Sequence, residues 1–196
     1  TPLNMILGIS EMVTQAYHVY GGGLPATLLA DLDVIKRNSE HLARLVDDVL
    51  DLSHVESGRM ALTREWVSLR ELVDAAAVAI EPLFQSKGLD LQIQVAEELP
   101  LLWCDRTRIR QVLLNLLSNA GRFTSRGGVR LTAVNESGSV LVSVKDTGPG
   151  ISLEDQPRLF EPFRQAGHPL LNRQKGTGLG LYVSKRFVEM HGGKMW

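Results

Sequence analysis

One cysteine, Cys104, is all the thiol chemistry that 196 residues carry. This excludes an intrachain disulfide and any zinc site built on several cysteines, and it fits a reducing, cytoplasmic setting. An excess of charge of either sign is lacking as well. The 21 Lys and Arg stand against 22 Asp and Glu, a formal net charge of -1, so no global field draws the chain to nucleic acid and no such partner is expected. No apolar run approaches the length of a membrane span, and the opening TPLNMILG lacks the basic region, apolar core and cleavage site of a secretory leader. Membrane anchorage is expected only through segments outside this chain. The chain starts without Met and stops at HGGKMW, and it reads as a fragment cut at both ends. What remains is an ordinary globular composition, 44% hydrophobic and 22% charged, enough for one large or two small domains.

The apolar pattern changes period part-way along. Leu3, Ile6, Leu7 and Val13 recur at helical spacing up to about Tyr17, and Gly21 to Gly23 with Pro25 break the pattern. In the next stretch Leu28, Leu32, Ile35, Ser39, Leu42, Val46 and Val49 alternate four and three apart, the seam of a helical bundle, and Gly58 closes it. A helical hairpin over 1–58 presents an apolar stripe that it cannot cover alone, so it predicts half of a dimeric four-helix bundle, a homodimer through residues 1–58. From 60 to 196 the pattern mixes strands with helices. MALTREWVSL reads as a strand, LRELVDAAAVAIEPLFQSKG as a helix and LDLQIQVA as a strand. Asp105 to Phe123 follows as a helix, VRLTAVNE and SVLVSVKD as a hairpin turned at Gly138, and about Gly180 to Met190 as the last helix. The fold class expected is α+β, the second domain being an α/β sandwich with one mixed sheet and helices on one face.

Three stretches of that second domain have residue types that packing alone does not call for. In TRIRQVLLNLLSNAGRF one face is an apolar stripe, while the other carries Arg108, Gln111, Asn115, Asn119 and Arg122. A solvated face is the plain reading. Two asparagines one turn apart, however, each cost roughly 0.5 kcal/mol of helix propensity against alanine, and paired amide oxygens suit a magnesium ion whose other ligands are waters and phosphates. In DTGPGI, after a strand, Asp146 could simply start a turn. It could equally accept a hydrogen bond from an exocyclic amine such as that of adenine, with Gly148 and Gly150 letting the base approach the backbone. KGTGLGL, Lys175 to Leu181, opens the last helix with Gly176, Gly178 and Gly180, an anion site suited to phosphate though neither a P-loop nor a Rossmann fingerprint. Between the two glycine motifs, Phe160 and Phe163 in LFEPFRQAGHPLLNRQ are expected to anchor a lid.

Taken together these residues closely resemble a sensor histidine kinase of two-component signalling, and the resemblance covers nearly the whole chain. NLLSNAGRFT resembles that family's N box, DTGPGI its G1 box, FEPF its F box and GTGLGL its G2 box, in the family's order. The resemblance implies a Bergerat-type ATP site. Asn119, helped by Asn115, would hold Mg2+, and Asp146 would bind the adenine amine between Gly148 and Gly150. Arg122 stands where a phosphate-contacting lysine is usual. Phe160 and Phe163 would belong to the lid, and Lys175, Gly176, Thr177, Gly178, Leu179 and Gly180 would meet the phosphates. The TPLN of Thr1 to Asn4 matches the family's phosphoacceptor motif, which puts the acceptor histidine four residues before Thr1; His41 and His54 read as surface or packing residues.

The implied activity is transfer of the ATP γ-phosphoryl group to that histidine and then to an aspartate on a response-regulator receiver domain. In related ATPases of the fold a glutamate activates water one turn before the magnesium asparagine; Asn115 stands there and cannot act as a base. The alternative is a degenerate kinase-like module that dimerises or binds nucleotide without transfer. Two departures matter: Gly121 replaces an aliphatic residue and is expected to loosen its helix by about 1 kcal/mol, and the family's strands after HGG are missing, which predicts a sandwich truncated at its C-terminus.

Overall fold

The computed structural model describes residues 2–15, 25–164 and 177–196, in two compact units, Thr1–Ser53 and His54–Trp196. In the first, helices α1 (Pro2–Gln15) and α2 (Ala26–Glu56, running on past the unit) take up the expected hairpin positions. The predicted turn at 21–23 lies outside the described residues. A salt bridge of 3.0 Å joins Lys36 of α2 to Glu11 of α1, and that carboxylate raises the lysine pKa above its ordinary value. The seam residues Leu28, Ile35, Leu42, Val46 and Val49 remain between 41% and 50% exposed, and Met5, Ile6, Ile9 and Met12 of α1 are exposed too. Most of the stripe that the heptad pattern marked is therefore uncovered in a single chain, though Leu32 is half-buried and Ser39 buried.

The second unit runs β1 (Glu65–Val67), α3 (Leu69–Lys87), β2 (Asp90–Val95), β3 (Leu102–Cys104), α4 (Arg106–Phe123), β4 (Gly128–Glu136), β5 (Ser139–Asp146), a 3-10 turn (Gln156–Arg158) and α5 (Gly180–Met190). The fold class is α+β. Among the described residues the strands form a mixed three-stranded sheet in the order β2-β4-β5, with β2 parallel and β5 antiparallel to β4. The expectation of one sheet misses a separate antiparallel pair of β1 and β3, in which Trp66 lies opposite Trp103. The β3 segment is three residues long, too short for alternation to mark it.

Alternation in β4 buries Val129, Leu131 and Ala133 against Leu72, Val73, Ala76 and Phe84 of α3 and Leu113 and Leu117 of α4. Each such large side chain contributes roughly 1.5–3 kcal/mol by leaving water. The ends of α3 are set by Ser68, whose Oγ accepts from Glu71 N, and by left-handed Gly88 at φ +62°. Gly121 is not a weak point in α4: a β-carbon there would stand 2.8 Å from Cε2 of the buried Phe84. The close approach of α3 to α4, not helix propensity, selects glycine.

Helix α4 is fixed at its start by Asp105. Its Oδ1 accepts from Arg108 N at 3.1 Å and its Oδ2 from Thr63 N at 2.9 Å. The Asp105 amide donates to His191 Nε2 at 2.9 Å, and His191 Nδ1 donates to the Phe187 carbonyl at 2.7 Å. The beginning of α4 is thereby tied to the end of α5. The two helices run antiparallel, which brings the glycine-rich start of α5 beside the asparagines of α4.

Candidate functional site

Asn115 and Asn119 are four residues apart on α4, both half-buried. Asn115 Nδ2 donates to Ser184 Oγ of α5 at 2.9 Å, and Asn119 Nδ2 donates to Asn115 Oδ1 at 3.3 Å. Gly180 begins α5 directly against this amide: a β-carbon at Gly180 would lie 2.4 Å from Asn115 Oδ1. Sequence reading took Gly180 for a phosphate-facing residue, and the structure adds a packing reason for it. Thr177 Oγ1 accepts from Leu179 N at 3.1 Å, and α5 has no side-chain cap. Leu179 itself is fully buried, so its side chain belongs to the core and only its backbone can face a ligand. Lys175 and Gly176 lie outside the described residues.

The far end of α4 carries Arg122, and a residue that sequence reading missed holds this end in place. Lys87 Nζ donates to the carbonyls of Arg122 at 2.7 Å, Gly121 at 2.8 Å and Thr124 at 3.2 Å. Those are carbonyls that a helix end leaves without intrahelical partners. Burial, and next the Arg122 guanidinium, push the Lys87 pKa below the ordinary lysine value. Lys87 ends its own helix α3, one residue before Gly88; packing alone shows that it caps α4.

Asp146 ends β5, exposed, opposite Val129 in the ladder. Its Oδ1 accepts from Gly148 N at 2.8 Å, so the plain turn-forming role is present. A β-carbon on Gly148 would stand 2.7 Å from that same oxygen and 3.1 Å from the Phe123 carbonyl, which places the turn against the end of α4. Gly150 sits at φ +74°. Thr147 reinforces the turn: its Oγ1 donates to the Arg126 carbonyl at 2.9 Å and accepts from Gly128 N at 3.0 Å. Of the two expected anchors of the following loop, Phe160 is half-buried under Lys185 Nζ, 4.6 Å from the ring centroid, whereas Phe163 is 63% exposed. Gly178 lies against the backbone of Phe163 and Arg164.

Segments distant in sequence thus meet along α4, the start of α5 at Asn115 and the Asp146 turn at Phe123. Among the described residues no group of three or more His, Cys, Asp or Glu could hold a metal ion. A cation here would meet a neutral amide oxygen, a donor set that fits magnesium, a hard ion that keeps several waters and takes phosphate oxygens for the rest. Ser184 was also missed. It stands four residues after Gly180, on the same face of α5, and that spacing was the available signal.

A family model described as "His Kinase A (phospho-acceptor) domain" matches residues 1–58, and one described as "Histidine kinase-, DNA gyrase B-, and HSP90-like ATPase" matches residues 104–196. The histidine protein kinase DivJ of Caulobacter vibrioides is 38% identical over 196 residues, covering 100% of this chain and 32% of DivJ. Full-length ShkA, solved in complex with AMPPNP, superposes with a TM-score of 0.77 at 33% identity over 98% of this chain and 39% of that one. The catalytic domain of the histidine kinase ThkA gives a TM-score of 0.60 at 32% identity, covering 69% of this chain and 88% of that domain. The chain spans between 12% and 32% of the length of the curated relatives compared with it.

Proposed function

The chain belongs to the sensor histidine kinases, and from that membership we propose that it is the dimerising and ATP-binding core of a two-component kinase. The observation that carries this reading is the convergence on α4 of the asparagine pair, the Asp146 turn and the glycine-rich start of α5. Asp146 reads the adenine amine through its carboxylate while holding its own turn through Gly148 N. Asn119 offers an amide oxygen to Mg2+, which when bound neutralises phosphate charge and aligns the phosphoryl group for in-line transfer. Arg122 and the backbone amides at the start of α5, Thr177 to Gly180, face the phosphates, and Phe160 and Phe163 belong to the segment that closes over them.

No residue of this site has to activate water. Asn115 occupies the place of a base but is an amide, hydrogen-bonded on both sides to Ser184 and Asn119. Such a site binds, orients and neutralises charge, and leaves the attack to an imidazole brought from the hairpin. The hairpin's exposed seam supports a homodimer through residues 1–58, the surface on which a receiver domain collects the phosphoryl group. Among the described residues no helix is long and apolar enough to cross a membrane.

The test has two arms. Nucleotide binding with Mg2+ is measured on this chain, and phosphotransfer from labelled ATP on a longer chain bearing a histidine four residues before Thr1. Asn119→Ala and Asp146→Ala should each abolish transfer and weaken binding at least about tenfold, the loss of one charge-assisted contact. Wild-type affinity in both variants would refute the site, and failure of wild type to bind ATP would refute the function.

A further inference from the structure

Ser184 lies outside the motifs and has no part in the phosphotransfer proposed above. Yet it is only 2% exposed, and its Oγ accepts from Asn115 Nδ2 at 2.9 Å. A side-chain amide has a donor end and an acceptor end, and a half-turn exchanges them at little steric cost. With the Asn115 nitrogen on Ser184, its oxygen faces the other way and accepts from Asn119 Nδ2 at 3.3 Å. The Asn119 nitrogen is then engaged along the helix, and its oxygen points away from the relay. In the opposite polarity Asn119 would present an NH2 group, which repels a cation. Asn115 Oδ1 is also hemmed in by Gly180, where even a β-carbon would come within 2.4 Å.

We infer that Ser184 is a positioning residue for the cation site: its hydroxyl anchors the Asn115 amide, whose Oδ1 accepts from Asn119 Nδ2, so that Asn119 offers the cation its oxygen and Asn115 contributes none of its own. The sequence-based assignment of both asparagines as magnesium ligands is thereby narrowed to Asn119. This inference rests on the ATP-site reading, and its test separates the two.

ATP affinity is measured by calorimetry on the 196-residue chain, once with Mg2+ and once in EDTA. Ser184→Ala should cut the gain in affinity brought by Mg2+ about fivefold, the weight of one orienting hydrogen bond, and leave the EDTA affinity within about twofold of wild type. Ser184→Thr, which keeps the hydroxyl, should restore the gain. Asn115→Ala should lose as much as Ser184→Ala, and the double variant no more than either. An undiminished Mg2+ gain in Ser184→Ala overturns the inference, as do losses that multiply in the double variant or an equal fall in both conditions. If Ser184→Ala does not fold, the metal-free wild type decides by NMR: cross-peaks from the Asn115 side-chain NH2 to the Ser184 β-protons support the relay, and their absence overturns it. A wild type that binds no nucleotide would sink the ATP-site reading, while the NMR arm would still decide the polarity of the relay.

Discussion

Asp146 can be asked which of its two oxygen-acceptor roles matters, because one substitution separates them. Asp146→Asn keeps an acceptor for Gly148 N, now 2.8 Å away, and so keeps the turn. It replaces the remaining carboxylate oxygen by an NH2 group, a donor facing the position of an adenine amine. Asp146→Ala removes both functions. The turn bond is exposed, so its loss is worth about 1 kcal/mol, and for a chain of this size that lowers Tm by roughly 2–4 °C. A charge-assisted hydrogen bond to the base is worth about 1.5–3 kcal/mol, or roughly 10- to 150-fold in affinity.

The expected pattern is therefore crossed. Asp146→Asn unfolds with wild-type Tm but binds ATP at least about tenfold more weakly, while Asp146→Ala loses both affinity and Tm. Thermal unfolding by circular dichroism and fluorescence titration with ATP read the two axes separately, and GTP serves as the control without an amine at that position. If Asp146→Asn binds ATP as wild type does, the carboxylate is only a turn former and the adenine assignment fails.

Lys87→Met keeps an apolar side chain but removes the donor to three carbonyls, and should lower stability by about 1–2 kcal/mol in urea unfolding. Because burial holds the folded pKa of Lys87 below its ordinary value of 10.5, the unfolded chain holds more protons in the window between the two. Wild-type stability should rise with pH there, and the variant should lack that rise. Gly180→Ala forces a β-carbon to within 2.4 Å of Asn115 Oδ1; overpacking of about 1–3 kcal/mol should be relieved by displacing that amide, so Mg2+-dependent ATP binding falls more than Tm. Leu42→Glu, on the exposed seam of α2, removes an apolar contact from each protomer, about 3 kcal/mol or more in total. Sedimentation should show the dimer weakened at least about 100-fold; an unchanged dimer would place the seam elsewhere.

Much of this was legible in order of residues because periodicity is a local property. The heptad spacing from Leu28 to Val49 marked α2, the alternation of β4 and β5 marked the hairpin, and the turn at Gly138 joined them. The motifs were legible for the same reason: Asn115 with Asn119, and Asp146 with Gly148, make their contacts within four residues of each other. What escaped was set by partners far along the chain. The short β3 exists through its pairing with β1. Lys87 caps a helix whose end lies 34 to 37 residues away, and Gly121 yields to a phenylalanine ring of α3.

The sequence by itself determined all but the shortest elements, the family and the residue types of the site, since each depends on spacing along one helix, strand or turn. Tertiary structure alone decided what stands beside the asparagine pair. Ser184, 69 residues beyond Asn115, is brought alongside when α5 packs antiparallel to α4, and its hydroxyl anchors the Asn115 amide. An asparagine names no partner in a sequence; only a neighbour in space supplies one.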